Sequence, residues 1–133
     1  MTHDQDDFIR EAAAHYAAHG RFGHREHLEV CVAAHRRFGA GALPALRAFI
    51  RHLDASHGDG TKYHETLTRF WTALTAHTLQ STGAADVDAL LDAQPLLLDA
   101  RLAERHWSRD VLFSPEARAG WVAPDVLALP FSA

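Results

Sequence analysis

Apolar residues recur along this chain every three or four positions, and no segment of strand length alternates apolar with polar. The pattern predicts helices throughout. Phe8, Ala12, Ala13 and Tyr16 give one apolar face to a first helix over about 4–19; Asp4, Asp6 and Asp7 suit its positive end and Gly20 stops it. After an Arg21-Phe22-Gly23 linker, a second helix covers about 24–38 and ends at Gly39 and Gly41. Pro44 fits the first turn of a third helix, whose stripe is Leu46, Phe49, Ile50 and Leu53. Ser56-His57-Gly58-Asp59-Gly60-Thr61 is the clearest loop.

Thr61 is placed to cap a fourth helix running to about 80, with Tyr63, Leu67, Phe70, Trp71 and Leu74 as its stripe. Ser81-Thr82-Gly83 breaks that helix, and shorter ones over about 85–93 and about 95–107 follow. Ser114-Pro115-Glu116 joins a capping hydroxyl, a first-turn proline and an acid, and so marks one more helix start. The tail from Trp121 to Ala133 reads as extended. The expectation is an all-α, compact single-domain bundle of about five to seven helices over 1–133, with an extended C-terminal tail.

Composition narrows the partners. A chain of 133 residues buries roughly two-thirds of its unfolded surface without disulfides or structural metal. A net charge of -4 and a pI near 6.2 argue against nucleic acid or an anionic membrane surface. Arginine carries the positive charge; Lys62 is the only lysine. No run approaches the roughly 18 apolar residues of a membrane span. The acidic start Met1-Thr2-His3-Asp4-Gln5-Asp6-Asp7 is unlike a secretory signal. Cys31, the single cysteine, has no intramolecular disulfide partner. These features read as a soluble, cytoplasmic protein whose partner is a small molecule.

Histidine carries the candidate chemistry, with 11 residues in the chain. His24 and His27, at i and i+3, lie on one helical face that continues through Cys31 and His35. His64 opens the fourth helix beside the glycine loop. Three imidazoles from two helix starts would leave an open coordination position on one transition-metal ion, whether copper, zinc, iron or nickel. Tyr63 and Glu65 flank His64 and are the candidates for assisting proton transfer. The bland reading stands beside this one. His-x-x-His is an unspecific spacing, and His3, His15, His19, His52 and His57 read as solvated surface. Cys31 and His35 read as core-facing, and His77 and His106 as packed with a satisfied hydrogen bond.

Other chemistries are weaker. Arg25 rather than glutamate follows His24, which removes the metalloprotease pattern, and no glutamate has a histidine at i+3 to build a di-iron site. Three functions therefore remain open: a metal-dependent enzyme on an unknown small molecule, a non-catalytic metal- or small-molecule-binding module, and a structural or interaction domain with a buried histidine network.

The segments Phe22-Gly23-His24-Arg25-Glu26-His27-Leu28, Lys62-Tyr63-His64-Glu65-Thr66-Leu67-Thr68 with Trp71, and Ser108 to Arg118 with Ser114-Pro115-Glu116-Ala117 resemble a group of small, largely uncharacterised bacterial helical proteins. The resemblance covers most of the chain from Phe22 onwards. It implies that His24, His27 and His64 belong to a shared polar or metal site.

Overall fold

The helices that start at Glu65, Val87, Arg109 and Pro115 each begin where the side chain of the preceding residue accepts an N–H of the first turn. The computed structural model describes residues 3–20, 22–58 and 60–133, with His19 in its backbone only. Met1, Thr2, the Arg21 part of the expected linker and the Asp59 part of the expected loop lie outside them. The architecture is all-α, with no strand among the described residues. The sequence reads as one domain, whereas the contacts gather the chain into two compact units, 1–63 and 64–133.

The first unit holds α1 (His3–His19), α2 (His24–Phe38), a 3₁₀ turn (Gly39–Gly41) and α3 (Ala42–His57). Glu26 reaches back to accept from the Gly23 N–H at 2.7 Å and so fixes the start of α2. Both α1 and α2 pack on α3. The core is built from Phe8, Tyr16, Val30, Cys31, Leu46 and Phe49 with three alanines that let the helices approach. Aromatic edges meet faces throughout it: Tyr16 on Phe22 at 4.9 Å, Phe8 on Phe38 at 5.5 Å and Phe22 on Phe49 at 5.7 Å.

The second unit holds α4 (Glu65–Thr82), α5 (Val87–Ala93), α6 (Arg109–Leu112) and α7 (Pro115–Ala119), with 3₁₀ turns at Pro95–Leu98 and Leu102–Arg105. Gly83 closes α4 in the left-handed conformation, φ 66°, where a side chain would be strained. The helix expected over about 95–107 is replaced by the two short turns. Asp99 causes the break: it is extended, and its carboxylate accepts the Arg101 N–H at 3.0 Å in a competing local turn. Sequence reading also missed α6, which Ser108 caps; Ser114 and Pro115 open α7 as expected.

The tail is extended, and its backbone is pinned at several points. The Trp107 indole is fully buried; it donates to the Val122 carbonyl at 2.9 Å and meets Trp121 edge-on. Thr66 Oγ1 donates to the Gly120 carbonyl, and Asp125 accepts the Ser108 N–H. The His106 carbonyl accepts from Val126 and Leu127, while its Nδ1 pairs with the Leu127 carbonyl at 2.9 Å. His106 is thus packed and hydrogen-bonded as its sequence position suggests, and His77 stacks on Phe131. No helix among the described residues is long and apolar enough to cross a membrane.

Candidate functional site

His24 and His27 stand on the first turn of α2, half-buried. Burial, with the neighbouring charge of His24 adding to it, pushes the His27 imidazole down to about 4. His27 is therefore neutral at pH 7. Its ring lies 6.2 Å from that of Phe22. Further along the helix Cys31 is fully buried in the apolar core, as expected, and His35 is half-buried.

His64 belongs to the second unit and is the N-cap of α4, a place the sequence reading gives to Thr61. Residue 64 takes this role because the chain before it is held by α3. The Asp54 carboxylate accepts the Lys62 and Tyr63 N–H groups, each at 2.9 Å, so the first helical turn forms only beyond them. The imidazole then does what a capping carboxylate or hydroxyl does. Nδ1 accepts the Leu67 N–H at 3.1 Å, so the proton sits on Nε2, which donates to the Leu112 carbonyl at 2.6 Å. Burial holds this imidazole below its usual range against the pull of the Leu112 carbonyl, and Arg118 lowers it further.

Both ring nitrogens of His64 therefore have partners within its own unit. Among the described residues no group of three or more His, Cys, Asp or Glu is arranged to hold a metal ion. Glu65 is buried in the first turn of α4. Tyr63 is half-buried, with the Arg51 guanidinium over its ring at 4.7 Å.

A site that sequence reading missed lies in the first unit. A cavity of about 510 Å³ opens between α1 and α3, lined by Ala13, Tyr16, Ala17, Gly20, Phe22, Ile50, Leu53, Asp54, His57, Gly58, Lys62 and Tyr63. Its floor is apolar. Tyr16 contributes only its ring, because its hydroxyl is turned to the Glu26 carbonyl and the Glu29 carboxylate, each at 3.3 Å. Burial and Glu29 together raise that phenol well above its usual range, so it stays protonated. The rim is formed by Gly58, Lys62 and Tyr63, whose backbones are tied to Asp54 in the last turn of α3. Gly58 donates to the Asp54 carbonyl at 2.9 Å. A Cβ at Gly58 would come within 2.9 Å of that oxygen, so only glycine allows so close an approach. The sequence signal was Asp54 four residues before a glycine and eight before the single lysine, a pattern without periodicity.

Asp54→Ala is expected to free the rim. Unfolding free energy should fall by about 1 kcal/mol, and amide exchange at Lys62 and Tyr63 should rise well above that of the α3 interior. Exchange measured by NMR checks it; unchanged protection at both amides would show that the carboxylate does not hold the segment.

No protein-family model, curated protein or solved structure matches the chain.

Proposed function

We propose that the chain is a non-catalytic helical module that binds a small molecule in the α1–α3 cavity. The cavity carries this reading. Its volume of about 510 Å³ falls in the ordinary range for small-molecule sites, and its lining pairs an apolar floor with a few polar groups at one edge. The paired nitrogens of His64 agree with it, since they give that residue a structural task.

The test is a fluorescence titration with the neutral, polarity-sensitive naphthalene dye prodan. Saturable binding with a blue shift is expected for the parent. Ala17→Trp, which places an indole at the mouth of the cavity on an exposed position of α1, should abolish binding with helicity and melting temperature retained. An absence of saturable binding to the parent would overturn the reading.

A second reading keeps the metal. His24 and His27 are neighbouring imidazoles and His27 is neutral at pH 7, the state a copper, zinc, iron or nickel ion requires. In this reading the metal rests on the His24–His27 pair, because both ring nitrogens of His64 are paired within its own unit. Elemental analysis of the parent beside His27→Ala decides it: about one equivalent of metal, lost in the variant, supports the metal, and none after reconstitution removes it.

A further inference from the structure

We infer that the ligand of the α1–α3 cavity is an amphipathic carboxylate, an aliphatic or aryl body ending in one anionic group. This rests on the small-molecule reading and names the ligand class for the same site. The polar atoms around the cavity divide into those already satisfied and those still open. The Tyr16 hydroxyl is engaged with α2, so the cavity sees a ring. Oδ2 of Asp54 accepts two backbone N–H groups, which satisfy that oxygen and tie the carboxylate to the rim. Among the described lining residues, Lys62 and His57 carry exposed nitrogen-bearing side chains that a ligand can reach. Among the described residues no carboxylate pairs with the Lys62 ammonium. Arg51 is outside the lining, but its guanidinium lies 4.7 Å from the ring of Tyr63, which does line the cavity, and so brings a second positive charge near it.

Much of the remaining lining is hydrocarbon. Phe22, Ile50 and Leu53 face a ligand with no polar atom of their own, so a body bearing buried hydroxyls or amides would leave these groups unpaired. Among the described residues the cations Lys62 and Arg51 outnumber the Asp54 carboxylate around this edge, so an anionic group is favoured there over an ammonium. A carboxylate places its oxygens at the water-facing edge, where Lys62 can reach them without desolvating a charge pair deep in the fold.

The experiment displaces prodan with octanoate, octylammonium and octanol at pH 7, in the parent and in Lys62→Gln. All three are eight-carbon chains, and octanoate has one methylene fewer in its hydrocarbon body, so tighter binding of octanoate cannot come from apolar area. Octanoate should displace the dye at a concentration at least tenfold below that of octylammonium. Lys62→Gln should weaken octanoate several-fold while leaving octanol and prodan unchanged. Prodan binding with equal displacement by octanoate and octylammonium, or tighter octylammonium, would overturn the carboxylate and leave the cavity reading standing. Failure of prodan itself to bind would overturn both. A Lys62→Gln variant that loses all three ligands and prodan together would place Lys62 in the fold of the rim and overturn its role as the anion's partner.

Discussion

Replacing His64 by alanine is expected to lower the unfolding free energy by about 2–4 kcal/mol, and to do so equally in chelator-treated protein. Two losses add. The first is the cap: the Leu67 N–H at the start of α4 loses its acceptor, which costs about 1 kcal/mol. The second is the Leu112 carbonyl, which loses its donor at a buried position and is left with a desolvation cost of about 1–3 kcal/mol. The two losses can be separated with amides that mimic one ring nitrogen each. His64→Asn restores an acceptor for Leu67 and should recover about 1 kcal/mol. His64→Gln extends a donor towards Leu112 and should recover the rest while leaving the cap open. Urea denaturation of the four proteins, with and without chelator, measures all of this. If the chelated parent falls to the level of His64→Ala, and neither amide recovers anything, the imidazole is a metal ligand and its hydrogen bonds are incidental.

That result bears on what could be read from the chain. The helices whose apolar stripes meet a clear stop were legible. The second runs over 24–38 as its pattern dictates, and Gly83 closes the fourth. Residues 95–107 were not. Their Leu96, Leu97, Leu98 and Leu102 imitate a helical stripe, yet Asp99 offers the backbone a tighter turn, and a local bond over two residues outweighs a weak periodic preference. The start of the fourth helix failed for a related reason. Thr61 has the usual capping side chain, but Asp54 ties up the amides at 62 and 63, and histidine takes a task that capping preferences do not assign to it. The candidate site divides the same way. Spacing placed His24 and His27 together correctly, because both ride on one helical turn. The cavity escaped notice because its floor comes from α1 and α3 and its rim from a loop, and no sequence period links Tyr16 to Leu53 or to Lys62.

Acidification should destabilise this protein well above the pH at which carboxylates titrate. An unfolded histidine takes up its proton near pH 6.5, whereas folded His27 does so only at about 4. As pH falls below 6.5 the unfolded state therefore binds a proton that the native state refuses. Stability is full above that pH and is lost on the way down to 4. Integrating the difference gives about 2 kcal/mol less stability at pH 5 than at pH 7, and about 3 kcal/mol once pH lies below both values. His64 is shifted in the same direction, and protonating its Nδ1 would also remove the acceptor that caps α4, so it adds to the loss in the same window. Glu104 and Asp125, whose carboxyls are held low by hydrogen bonds, lose their contribution only at more acid pH. Denaturant melts at pH 7 and pH 5 thus isolate the imidazoles. His27→Leu, which has nothing to protonate, should remove most of the difference and leave the share of His64. If His27→Leu shows the same loss as the parent, His27 is charged in the folded protein and its burial costs far less than its surroundings imply. A neutral His27 is also what the metal reading needs, so the same pair of melts, repeated with one equivalent of zinc, separates the two roles. Zinc bound to the His24–His27 pair would raise stability at pH 7 and, as protons compete for the ligands, widen the gap to pH 5; zinc that leaves both melts unchanged would mean that the pair only packs.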